Sequence, residues 1–267
     1  MNKFTNLRNF TNSYKYYSTK PFKLQYVSDL HIDTHKYMPI IKPLSKYIAI
    51  CGDIAQPYAT NYKKFIQEQS RKFEKVFIVP GNHDFDLGVM YRRDYANKWE
   101  PVIKNICSDY KNVYYLNCNT HQLDDNILIA GSILWSRPTF TKYQINSQRF
   151  SKNLNHIIEH QIEHQKHVDW ISNTIEDNKD KKIIILTHFV PTFKLIEKKY
   201  LNNGSKQNTW FATDLEYLIK NPVKAWICGH THSVMTCDVN NVQCAVNAYG
   251  NGATYHYEQY FDKVIEI

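Results

Sequence analysis

Five times along this chain an apolar run stops on a residue able to bind a metal or carry charge. The runs read LQYVSDLH, KYIAICGDIA, KVFIVPGNHD, KIIILTHFVP and KAWICGHTH. They end on Asp29 and His31, on Asp53, on Asn82, His83 and Asp84, on His188, and on His230 and His232. In open α/β sheets ligands bind beyond the carboxyl ends of the strands, where loops converge. The repeated ending therefore points to an α/β fold whose strand ends share one polar site.

The remaining periodicities agree with that frame. Strand patterns occur at 23–28, 47–51, 75–79, 112–117, 127–133, 182–187 and 225–228. A hairpin at 234–246 turns on Asn240 and Asn241, and a last strand spans 260–265. Helical spacing covers 62–73, 89–106, 143–176 and 213–219, the last opening on Thr213 with Glu216 three residues on, as in a capping box. The third helix carries His156, His160, His164 and His167. Their polar neighbours Asn155, Glu159 and Gln161 predict a solvated face rather than a metal site. Strands alternating with helices, then strands in succession, predict a large mixed sheet flanked by helices, or two stacked sheets. One domain over 21–267 follows a flexible tail at 1–20, and 267 residues are enough for a sizeable core.

Composition narrows the function classes. The formal net charge of +8 permits contact with phosphate-rich partners, yet no basic cluster interleaved with aromatics marks a nucleic-acid footprint. Six cysteines are scattered without a CxxC pair, which excludes a zinc knuckle and favours a reducing, intracellular compartment. No apolar run approaches the roughly 18–20 residues of a membrane span, and no secretory signal opens the chain. Residues 1–20 contain no acid, like an organelle presequence, but hold a single arginine, Arg8, and poor amphipathic spacing. The expected location is the cytoplasm.

The strand-end residues have a definite ligand chemistry. Two carboxylates, one amide oxygen and four imidazoles suit manganese, iron or zinc; a calcium or magnesium site would be nearly all oxygen. Seven such side chains exceed the needs of one tetrahedral ion and fit two ions sharing a bridging carboxylate. In extended backbone, residues i and i+2 project to one side, so Asp29 with His31, and His230 with His232, are expected to enter one crevice. Gly52, Gly81 and Gly229 precede the polar residues and allow sharp turns or close approach there.

The ordered set D-x-H, G-D, G-N-H-D, H and G-H-x-H resembles the calcineurin-like metallophosphoesterase superfamily, from about Lys23 to the C-terminus. The resemblance, to a small bacterial-type member, implies an α/β/β/α sandwich of two mixed sheets with a dinuclear metal site at the strand ends. It implies that Asp29, His31 and His232 hold one metal together with Asp53. Asp53 would bridge to a second, completed by Asn82, His188 and His230; the metals would be divalent or mixed-valence. His83 would meet the substrate phosphate and protonate the leaving oxygen, with Asp84 orienting it. The implied activity is hydrolysis of a phosphomonoester or phosphodiester by in-line attack of a metal-bridging hydroxide. Phe189 stands where the family often has a second histidine. Trp135, Asn247 and Tyr249 are further candidates for the mouth of the site, with simple packing an equally good reading of Trp135.

A small phosphoester is the expected partner. Two alternatives stay open in the sequence: a nuclease that holds nucleic acid on the basic surface, and a non-catalytic scaffold of the same fold. The intact ligand positions and His83–Asp84 pair count against the scaffold.

Overall fold

A computed structural model describes residues 21–35, 39–140, 142–201, 206–250 and 263–267. The expected tail at 1–20 and the first half of the expected strand at 260–265 lie outside these residues. The chain order begins with β1 (Lys23–Val27), β2 (Tyr47–Cys51), α1 (Thr60–Lys72), β3 (Lys75–Val79), α2 (Arg93–Ser108) and β4 (Val113–Tyr115). Next come β5 (Asn119–Gln122), β6 (Ile127–Ser132), a short α3 (Lys142–Ile145), the long α4 (Gln148–Asp177), β7 (Lys182–Thr187) and α5 (Lys198–Leu201). The last strands are β8 (Val223–Cys228), β9 (Val234–Val239), β10 (Val242–Asn247) and β11 (Val264–Glu266).

The strands form two mixed sheets. One has the order β11-β1-β2-β3-β4 and the other β5-β6-β7-β8-β10-β9. In the first, β1 to β4 are parallel; in the second, β6, β7, β8 and β10 are. The period of two explains how apolar runs serve two interfaces at once. In β2, Ile48 and Ile50 face the α1 and α2 side with Phe65, Ile66 and Ile103. The alternate residues Ala49 and Cys51 pack between the sheets against Ile184, Leu186 and Ile227. In β7, Ile183 and Ile185 turn outward to Val168, Ile171 and Ile175 of α4. The result is the expected α/β/β/α sandwich.

At the carboxyl ends of the strands the sheets are joined directly. Ser28 N–H donates to Asn247 O at 2.9 Å, and the Asn247 amide donates to Tyr26 O at 2.8 Å. These bonds fix the position of the Asp29 loop against that of His230. The hairpin turns as read, with Asn240 and Asn241 at φ 51° and 63°, the signs a type I′ turn requires.

Four sequence readings are corrected. Residues 213–219 are turns, not a helix: Thr213 Oγ1 accepts from Arg137 N–H, and Glu216 accepts from Thr192 Oγ1 at 2.6 Å and from Lys194. The strand β5 was not foreseen, because its sequence NTHQ is polar and mostly exposed along an edge. Asn247 and Tyr249, 1% and 4% exposed, belong to the interior rather than the mouth, and Trp135, 1% exposed, takes the packing alternative. Finally, His160, His164 and His167 are buried.

Those three histidines serve the irregular backbone that follows β6. His160 Nε2 donates to Ser136 O at 2.8 Å, leaving Nδ1 to accept from Tyr91 N–H at 2.9 Å. His164 Nδ1 pairs with Trp135 O, and His167 Nδ1 accepts from Leu134 N–H at 3.2 Å. Each satisfies a backbone group that no sheet ladder reaches, and an unmet buried group costs on the order of 1–3 kcal/mol.

Burial pushes the His160 imidazole down to about 4, while its bond to Ser136 O opposes that fall. The folded chain therefore resists a proton that the unfolded chain accepts near 6.5, so this contribution is complete above pH 6.5 and is lost as pH falls toward 4. In urea titrations, the stability advantage of the native chain over His160→Gln should shrink by about 2 kcal/mol between pH 7 and pH 5. An advantage independent of pH would show that His160 is not held neutral.

Candidate metal centre

Each of the expected ligands lies just past a strand end or opens the loop beyond it, but the local geometry is not the extended one read from the sequence. Asp29, His31, Asp53, His230 and His232 have φ of 52°, 41°, 55°, 68° and 48°. Left-handed backbone is disfavoured for residues with a Cβ by roughly 1–2 kcal/mol each. Asp29 with His31, and His230 with His232, thus converge by tight left-handed turns rather than by pleat. Such strain persists only where surrounding bonds over-determine it and gathers at functional sites. The bonds are present: Asp29 N–H donates to Gly52 O at 2.9 Å and His31 N–H to Asp53 O at 3.0 Å. His230 N–H donates to the Asp29 carboxylate at 2.9 and 3.0 Å.

Asp53 is at the centre and 1% exposed. Its Oδ1 accepts the His83 N–H at 2.9 Å. Its Oδ2 lies 3.8 Å from His31 Nε2 and 3.4 Å from His188 Nε2. One carboxylate oxygen therefore faces ligand groups from both sheets. On one side of it, Asp29, His31, Asp53 and His232 offer atoms all within 4.8 Å of one another; on the other, Asp53, His188 and His230 do the same. Asn82 Oδ1 comes within 3.0 Å of His188 Nε2, its amide nitrogen being tied to Leu87 O. All seven expected ligands meet here.

The donor chemistry fits cations. Among the described residues, the ion-pair partners of Asp29 and Asp53 are histidines alone. Imidazole nitrogens face each other at 3.1 Å between His31 and His232, and at 3.2 Å between His188 and His230. His188 Nδ1 donates to Cys51 O at 2.9 Å, which turns Nε2 toward the cluster. Against the penalty of burial, His188 and its neighbours hold the Asp53 carboxyl well below its ordinary value. Burial drives His230 well below the usual imidazole range, and its buried Nε2 has no hydrogen-bond partner among the described residues. A pocket of carboxylate and imidazole donors suits a borderline divalent metal.

Asp84 takes a different course from the one expected. Its two oxygens accept backbone N–H groups from Gly81, Asp53, Ile54 and Ala55, at 2.7 to 3.4 Å. It staples the loop after β3 to the loop after β2; it does not turn toward the His83 ring. Burial and the charge of Asp53 push its carboxyl up to about 7, and the amide donors oppose that rise. The His83 ring instead stands edge-on to His31, with centroids 4.9 Å apart. It faces a cleft of about 500 Å³ that opens over the cluster.

Sequence reasoning missed the far wall of that cleft, which comes from the segment between β7 and β8. Ile196, Tyr200 and Phe211 stand there, with Val89 on the opposite rim. Phe189, at the position that departs from the family pattern, packs 4.0 Å from the His230 ring, and Phe211 lies 5.1 Å from the same ring. The ring is thus gripped by Phe189 and Phe211.

Comparison with known proteins agrees with the geometry. Residues 23–234 match the sequence model of the family described as calcineurin-like phosphoesterase. An uncharacterized protein of Acanthamoeba polyphaga mimivirus is 32% identical over 264 residues, covering 85% of this chain and 90% of its own. Among solved structures, a phosphopantetheinyl hydrolase from Mycobacterium tuberculosis superposes with a TM-score of 0.62 at 13% identity, over 92% of this chain and 95% of that one. A protein from Thermus thermophilus gives 0.53 at 13% identity, over 86% and 90%. These two structures share the fold.

The close approach at Gly81 yields a prediction. A Cβ there would lie 2.1 Å from Asp53 Oδ1 and 2.4 Å from Asp53 N. Gly81→Ala should lower unfolding free energy by about 1–3 kcal/mol in urea titration. Gly88→Ala, where a Cβ meets nothing within 4 Å, should change it by less than about 0.5 kcal/mol. Equal effects would show that Asp53 is not wedged against Gly81.

Proposed function

The chain belongs to the calcineurin-like phosphoesterase family, and from that premise we propose that it hydrolyses a small phosphoester with the help of two divalent cations. The observation that carries this reading is the position of Asp53 in both groups of ligand atoms. Asp29, His31, Asp53 and His232 would hold one cation, and Asp53, Asn82, His188 and His230 would hold the other. Manganese, iron and zinc all suit this donor set. When bound, such a pair supplies Lewis acidity that acidifies water and neutralises charge on the phosphoryl oxygens.

The chain's own groups do the rest. Asp53 Oδ2 is the oxygen left to face both groups of ligands, since Oδ1 is committed to the His83 amide. That amide bond ties His83 to the bridging carboxylate, so its ring is placed against the phosphoryl group. The imidazolium form of His83 gives its proton to the leaving oxygen as the P–O bond breaks, and the water that adds to phosphorus from the opposite side releases one proton, which recharges the ring through solvent. Asp84 keeps the two loops in register and so positions both Asp53 and His83. The ligand groups are buried on the protein side, and the cleft opens over Asp53, Asn82, His230 and His232, where it admits substrate.

His83→Ala should lower turnover of p-nitrophenyl phosphate or its bis ester on the order of 10²-fold, with metal content per chain retained. Asp53→Asn should lower both. Elemental analysis beside the assays, with manganese added, checks each. Failure to turn over any phosphoester despite bound metal would replace this reading with a non-catalytic one.

A further inference from the structure

The cleft above the cluster has two chemically different ends. Its floor consists of Asp53, Asn82, His83, His230 and His232. Its far wall is apolar: Ile196 is 5% exposed, Phe211 is partly buried against His230, and the Tyr200 ring stands 49% exposed at the mouth. Among the described residues no lysine or arginine lines the cleft, and away from the floor the one ionised side chain is Glu197. Glu197 is already engaged, with Lys199 Nζ 2.7 Å from its carboxylate and 4.9 Å from the Tyr200 ring centroid.

The wall is tied down. Val190 N–H donates to Phe211 O at 3.3 Å and Thr213 N–H to Val190 O at 3.0 Å, pinning Phe211 to the end of β7. The Asn208 amide donates to Tyr200 O at 3.2 Å, which holds α5 to the same segment. On the opposite rim, the loop bearing Val89 is anchored where Tyr91 N–H meets His160. The volume, about 500 Å³, suits a small molecule rather than a polymer.

We propose that this apolar wall receives the leaving group, and that the substrate is the phosphoester of an uncharged, ring-bearing alcohol, with Tyr200 and Ile196 as specificity-determining residues. The proposal rests on the hydrolytic reading above. The charge of the scissile phosphate is met at the floor. Among the described residues that line the cleft, a second anionic group meets no lysine or arginine, and at the wall the charges of Glu197 and Lys199 offset one another, so phosphate chains and nucleic acid gain nothing there. A ring laid against Tyr200, Ile196 and Phe211 removes apolar surface from water on both partners.

Non-hydrolysable phosphonates separate recognition from turnover. Calorimetry on the manganese-loaded full chain should find phenylphosphonate bound about tenfold more tightly than methylphosphonate. Phosphonoacetate and 2-aminoethylphosphonate should bind no more tightly than methylphosphonate. Tyr200→Ala and Ile196→Ala should each cut the phenyl-over-methyl ratio at least threefold, and Tyr200→Phe should keep it. Equal affinities for phenyl and methyl, tighter binding of the anionic or ammonium analogue, or a ratio unmoved by both alanine variants would overturn the proposal. A phenyl preference without turnover of any phosphoester would overturn the hydrolytic reading and leave the recognition standing. Turnover without a preference would do the reverse.

Discussion

One buried carboxylate holds this structure's functional end together. Asp53 sits where the loop after β2 meets the loops after β1 and β3 and, from the other sheet, the loop after β7. A single ionised oxygen so deep in protein is unfavourable unless positive charge or hydrogen bonds meet it. Here Oδ1 meets one amide and Oδ2 faces imidazoles from both sheets, a set that a cation completes better than a proton does. The seven candidate ligands come from five separate stretches, and Asp53 is common to both halves of the cluster.

Backbone conformation at the strand ends follows from the same requirement. Five candidate ligands occupy left-handed φ, a conformation that a chain selected for stability alone would give to glycine. The strain is spread over loops that hydrogen-bond one another rather than solvent. Asp84 links two of them through four amides, and Asp29 accepts the His230 amide across the gap between the sheets. Behind this frame the α4 histidines carry the segment 132–136, whose Ile133 carbonyl in turn accepts from His188 N–H at 3.3 Å. Packing two layers away is therefore connected by hydrogen bonds to a candidate ligand.

Much of this was legible in the residues. The apolar runs gave the sheets because both faces of each central strand are buried, so nothing obscured the pattern. Asn240–Asn241 gave the hairpin because only residues tolerant of positive φ turn two strands so tightly. The site residues were legible because each follows a strand, although the convergence of Asp29 with His31 has a different cause from the pleat expected of it. Polar residues with structural duties were harder. His160, His164 and His167 share a helical face with Ile157, Val168 and Ile171, a spacing that signalled burial. The charged neighbours on other faces masked it. Thr213 and Glu216 matched a local capping pattern, yet distant partners claimed both side chains. The cleft wall carrying Ile196, Tyr200 and Phe211 left no periodic trace, because its placement depends on bridges such as Val190 with Ala212 that no local pattern specifies.

The central claim is that Asp53 joins two cations through one oxygen, and anomalous diffraction from crystals of the full chain grown with manganese tests it most directly. The account predicts two peaks flanking Asp53 Oδ2, roughly 3.5–4 Å apart, one beside Asp29, His31 and His232 and the other beside Asn82, His188 and His230. One peak, or two that do not share Asp53, would contradict it.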